Sequence, residues 1–185
     1  MISEWLSTIA HPVLADWVTV GLYLLAASLS ARAAGYAALR RQTRERLFWR
    51  IAAVLLVISA ANELLDLQTL LTLIGRVSAR ANGWYTVRRE VQYAFLLALA
   101  GAGLLAALAM LRLIMRAHPA LKLAYPGLLL VALFVFLRAA SIHHVDRIFT
   151  RISPGFRWAW LAEMSGVLII TAAAALYCRP TRSKR

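Results

Sequence analysis

This chain reads as an all-α protein, an integral membrane bundle of five transmembrane helices. Three observations predict that. Sixty-two per cent of the residues are apolar, against about 45–50% in a soluble domain. The mean hydropathy is +0.68. Five apolar stretches, each close to the roughly 20 residues that a helix needs to cross a bilayer, recur with short charged segments between them. A chain of 185 residues suits one compact bundle, so residues 1–185 are expected to form a single transmembrane domain.

The first span is placed at Val13–Ala31. No Lys or Arg precedes Arg32, and the run Val13–Ser30 exceeds the roughly 7–15 apolar residues of a cleavable signal, so it should remain as a helix. The second is Ile51–Leu73 and the third Val91–Leu111. The fourth is Ala124–Ile142, with Pro119 and Pro126 at its start, where a missing N–H costs little. Pro154-Gly155 marks the turn before the fifth, Trp158–Tyr177. Each is more apolar than an amphipathic surface helix. No internal repeat and no low-complexity linker interrupts the series.

The formal charge is +13. Its arginines stand in short runs between apolar segments, which is the pattern of membrane loops, so the expected partner is the lipid bilayer and no nucleic acid. Threading the spans in order puts thirteen Lys and Arg on one side, within 32–50, 112–122 and 179–185, and eight on the other. The positive-inside rule assigns the richer side to the cytoplasm. The expected location is the bacterial inner membrane, with the N-terminus outside and the C-terminus cytoplasmic. Trp5, Trp17, Trp84, Tyr85, Trp158 and Trp160 then crowd the outer interface, with Trp49 and Tyr177 at the inner one.

The same threading gathers Asp16, Glu63, Asp66, Glu90, Asp146 and Glu163 near the outer face, with His143, His144, Arg88, Arg89 and Arg138. A charge in hydrocarbon costs about 3 kcal/mol, so such groups are paired or functional. On the second span Asn62, Glu63 and Asp66 share one helix face, with Gln68 beyond them. Crowded carboxylates can raise one pKa and move protons. They can equally brace neighbouring arginines. The third span is entered through Trp84, Tyr85, Arg88, Arg89 and Gln92. Adjacent arginines suit an anionic lipid headgroup or the carboxylates of the second helix, or they snorkel without a specific role.

The fourth span ends in Ser141-Ile142-His143-His144-Val145-Asp146. His143 reaches Asp146, and Ser141 reaches His144, each three residues on. A histidine oriented by a carboxylate is competent as a general base or metal ligand, and a hydrogen-bonded interfacial pair is the plainer reading. Neighbours on a helix point about 100° apart, so a metal, if any, is a single ion at His143 or His144. Haem is disfavoured because only His11 could join them. Glu163, inside the fifth span, is either a functional carboxylate or the partner of Arg138 or Arg157. Gly101 and Gly103, with Ala98 and Ala102, permit close helix packing or simply fill a tight spot. There is no HExxH, CxxC, GxSxG or phosphate-cradling glycine loop. The lone Cys178 excludes an internal disulfide and reads as a small residue at a helix end.

Asn62-Glu63-Leu64-Leu65-Asp66-Leu67-Gln68, Gly83-Trp84-Tyr85 with Arg88-Arg89, and Ser141-Ile142-His143-His144-Val145-Asp146 together resemble a family of small multi-spanning bacterial membrane proteins of unknown function. The resemblance covers most of the chain from about Phe48 to Ser165. It implies membrane location and marks the polar residues, and it supplies no mechanism. Some members carry the name isopropylmalate isomerase. That isomerase resembles aconitase and needs three cysteines for an iron–sulfur cluster, whereas this chain has only Cys178, so the activity is rejected. Ser141, His143, His144, Asp66 and Asp146 are also similar in chemistry to ceramidase-like zinc hydrolases. Five spans in place of seven, and no further outer histidine but His11, keep this an analogy.

Three functions follow as expectations. One is a binding or accessory protein for an anionic lipid or another membrane subunit, with Arg88, Arg89 and Arg138 as anion contacts and Asn62, Gln68, Trp84, Tyr85, Gln92, Ser141 and Asp146 lining a pocket. The alternative is a membrane hydrolase or transferase, with Glu63, Asp66, His143, His144 and Glu163 as catalytic candidates. A transporter is weaker, since neither inverted repeats nor broken spans are visible.

Overall fold

A computed structural model describes residues 14–65, 73–75, 77–78, 88–140 and 158–179. Five long helices run through them: α1 (Leu14–Leu39), α2 (Thr43–Leu65), α3 (Arg88–Ile114), α4 (Pro119–Ala140) and α5 (Trp158–Tyr177). Each carries a stretch long and apolar enough to cross a membrane. No strand occurs among the described residues. The membrane-spanning all-α class expected from composition is therefore the one observed.

The fifth helix coincides with its expected bounds. The first runs on past Ala31, because one arginine does not stop a helix followed by Ala33, Ala34, Ala37 and Ala38, all strong helix formers. It ends in a Schellman motif: Gln42 N–H bonds Ala37 O at 2.9 Å and Arg41 N–H bonds Ala38 O at 3.0 Å. Arg41 takes the left-handed conformation that this cap requires, at φ 57°. The chain reverses at once, and α2 begins at Thr43 instead of Ile51. Its arginine-rich first turns are amphipathic, with Glu45, Phe48 and Trp49 buried, Arg44 and Arg50 exposed and Arg46 half-buried.

The fourth helix begins at Pro119, so Pro126 lies inside it and does not mark its start. Pro119 takes the first helical position, where its missing N–H is harmless. His118 caps it, with Nδ1 accepting the Ala120 N–H at 3.2 Å. Pro126 gives up one helical hydrogen bond, a loss that membrane helices tolerate.

α1 packs on α2 and α5, and α5 packs on α4. Tyr23, Trp49, Leu56, Leu121, Val167 and Ile170 are among the fully buried side chains. α4 and α5 approach closely where two glycines face each other. A Cβ on Gly127 would meet Gly166 O at 2.8 Å, and a Cβ on Gly166 would meet Gly127 O at 2.8 Å. Glycine is required at both positions because a backbone carbonyl occupies the space of the side chain. Gly101 and Gly103, the small residues expected to serve close packing, have nothing within 4 Å of an added Cβ. They lie on α3, where only 6% of the apolar window is buried. Trp49 and Tyr177 are packed against neighbouring helices at the arginine-rich end, at 0% and 1% exposure.

Candidate functional site

The two ends of the bundle hold different polar chemistry. At the end where α1 and α5 begin, Glu163 is buried on α5 at 2% exposure. Tyr23 on α1 donates its hydroxyl to Glu163 Oε1. Toward the same end, Trp160 Nε1 donates to Thr19 Oγ1 at 3.1 Å. Thr19 and Tyr23 are four apart and Trp160 and Glu163 three apart, so both bonds lie on the facing stripes of α1 and α5. In hydrocarbon every such group needs an internal partner. The pair of bonds therefore fixes the register of two helices that are remote in sequence.

Asn62 and Glu63 are half-buried near the end of α2. Asp66, Gln68, Trp84, Tyr85, Ser141, His143, His144 and Asp146 lie outside the described residues, as do the side chains of Arg88, Arg89, Gln92 and Arg138. Among the described residues no three His, Cys, Asp or Glu side chains gather to hold a metal ion. Of the catalytic candidates, Glu163 is the one buried in the core, where its carboxylate accepts the Tyr23 hydroxyl.

The opposite, arginine-rich end contains a cluster that the sequence did not suggest. Glu45 is 7% exposed. Its Oε1 accepts the His118 backbone N–H at 2.9 Å, and its Oε2 accepts the Tyr177 hydroxyl at 2.7 Å. The same hydroxyl lies 2.9 Å from Gln42 Oε1. The Arg40 guanidinium stands 5.6 Å from the centre of the Tyr177 ring, a cation–π distance. The His118 ring meets that ring edge-on at 5.3 Å, and Trp49 tilts against it at 5.5 Å. One carboxylate thus joins the start of α2, the start of α4 and the end of α5. It also sits at the N-terminus of α4, where the helix dipole favours negative charge. Glu45 stands alone among arginines in the sequence. A lone acid in a basic run, three residues before an aromatic pair, is the signal that could have marked it.

Cys178 follows directly after α5 and is half-buried. Burial pushes its thiol up, and the charges of Arg32 and Arg40 only partly offset this. The thiolate is the reactive form, so Cys178 should alkylate slowly at neutral pH in the folded protein. The rate should climb only as the pH rises above the ordinary thiol range. Unfolding in detergent and urea should restore the rate of a free thiol. Equal rates folded and unfolded would contradict this assignment.

No protein-family model, curated protein or solved structure matches this chain. The geometry of the two ends therefore carries the functional argument.

Proposed function

We propose that this chain is a multi-pass protein of the bacterial inner membrane, related to the small multi-spanning family described above, which binds its ligand and does not transform it. The ligand is an anionic lipid at the outer face, with another membrane subunit as the second choice. Arg88, Arg89 and Arg138 supply the anion contacts. The observation that supports binding over catalysis is the Tyr23 hydroxyl on Glu163. The carboxylate inside the fifth span, one of the catalytic candidates, already has a structural task between α1 and α5. An acid–base role needs a group presented to substrate, and this one is 2% exposed. The hydrolase reading then rests on Glu63, Asp66, His143 and His144 alone.

A double-mutant cycle tests this. Tyr23→Phe removes the hydroxyl and should lower stability in detergent by about 1–3 kcal/mol, because a buried acceptor loses its donor. In a Glu163→Leu background the same change should cost much less, since its partner is gone. Additive effects would show that the two residues are not coupled and would return Glu163 to the catalytic candidates. The lone thiol reports the direction of insertion. A membrane-impermeant maleimide at alkaline pH should reach Cys178 in inverted vesicles and not in intact spheroplasts. The reverse pattern would invert the topology.

A further inference from the structure

We propose that the trough between α1 and α2 is a binding site for one anionic glycerophospholipid from the leaflet at the arginine-rich end, with the phosphate on Arg46 and Arg50. The site stands at the opposite end of the bundle from Glu163 and does not depend on the role given to the outer residues.

Two open cavities lie between these helices. One, of about 420 Å³, is lined by Ala34, Gly35, Ala38, Arg46 and Arg50. The other, of about 460 Å³, is lined by Leu24, Ala27, Ser28, Val57 and Ile58. Both include Ala31, Ala53 and Val54, so they form one continuous trough. Its composition changes along its length. The end near the helix reversal carries two guanidinium groups, and the rest is almost wholly apolar.

The sequence builds this shape by period. Arg46, Arg50, Val54 and Ile58 are each four residues apart, so they form a single ridge along α2. Ala27, Ala31 and Gly35 repeat at the same spacing along α1 and make a floor too shallow to meet that ridge. An added Cβ at Gly35 has nothing within 4 Å. Arg50 is exposed and Arg46 half-buried at the open edge of the trough, and neither meets an acidic side chain among the described residues. Two guanidiniums one turn apart present parallel donors suited to a phosphate diester.

The length fits one leaflet. From Arg46 to Ile58 the helix rises about 18 Å at 1.5 Å per residue. Half of a bilayer's hydrocarbon core is about 15 Å. A lipid with its phosphate at the arginines therefore lays one acyl chain along Ala31, Val54, Val57 and Ile58 without leaving its own leaflet. Charge at one end and apolar walls along the remainder match an amphiphile. They do not match a soluble anion or an uncharged chain.

The full-length protein in detergent micelles is titrated with phosphatidylglycerol or phosphatidylcholine, and bound lipid is counted by native mass spectrometry. Wild type should hold phosphatidylglycerol in preference to phosphatidylcholine, with one bound phosphatidylglycerol that depends on the trough whatever binds at the opposite end. R46Q/R50Q should weaken phosphatidylglycerol by roughly tenfold or more, from the loss of charge-assisted hydrogen bonds, and leave phosphatidylcholine unchanged. Gly35→Leu, which fills open space in the trough, should weaken both lipids. Ala31→Phe should do the same from the shared middle of the trough. R112Q/R116Q removes two exposed arginines at the C-terminal end of α3, neither of which lines the trough, and it should change nothing. An equal loss from R112Q/R116Q would reduce the effect to surface charge and overturn the site. Unchanged binding in both Gly35→Leu and Ala31→Phe would overturn it as well, as would displacement of the lipid by glycerol phosphate alone.

Discussion

Gly166→Ala should be the most damaging single methyl in this protein, lowering stability by about 3 kcal/mol or more. Its new Cβ would stand 2.8 Å from the Gly127 carbonyl oxygen, with Leu130 and Val131 each at 3.1 Å. Backbone cannot move aside as a side-chain tip can. The two helices must separate, and separation disturbs the buried Val167, Ile170 and Leu128 beside the crossing. Gly127→Ala should behave alike, since the contact is reciprocal. Gly101→Ala is the control: it meets nothing, and it should be neutral or slightly stabilising through helix propensity. Thermal unfolding in one detergent, run on all three, checks the ranking. A Gly166→Ala protein that melts with wild type would mean that α4 and α5 do not cross at these glycines.

Glu45→Ala should also be costly, on the order of 2 kcal/mol, because it removes two hydrogen bonds at once. The His118 N–H at the head of α4 loses its acceptor, and the Tyr177 hydroxyl at the foot of α5 is left with Gln42 Oε1 alone. Tyr177→Phe removes a hydroxyl and leaves the ring against His118 and Trp49, so it should cost about 1–2 kcal/mol. Glu45→Gln keeps an acceptor and should fall between wild type and alanine. If Glu45→Ala unfolds no earlier than Arg44→Ala, a neighbouring surface change, the carboxylate does not lock the three helix ends.

The spans were legible because a bilayer demands long apolar runs, and such runs are visible without any knowledge of packing. Trp158–Tyr177 shows this at its simplest, since its bounds follow hydropathy alone. The start of α2 was not legible. A hydropathy window rejects Thr43–Arg50 for its arginines, although the helix leaves those exposed or half-buried and buries Glu45, Phe48 and Trp49. Partner choice was also hidden. α3 is strongly apolar and yet has the least buried window, because in lipid an apolar surface needs no protein cover. Small residues were a better guide in principle than in practice. The sequence offers Gly101 and Gly103 as readily as Gly127 and Gly166, and only the second pair meets a neighbouring backbone. At the end where α5 begins, the sequence found Glu163 from its cost in hydrocarbon. It could not name Tyr23 as the partner, since a contact across 140 residues leaves no local trace.

That separation bears on how the protein is made. A ribosome adds about 5–20 residues per second, so Glu163 emerges on the order of ten seconds after Tyr23. Throughout that interval the first helix has already entered the bilayer, while Tyr23 waits for Glu163 and Thr19 waits for the Trp160 indole. The first two helices can pair as soon as α2 has entered, but the latch between α1 and α5 closes only when the last span leaves the insertion machinery. A chain cut short before α5 would offer membrane proteases a first helix without it.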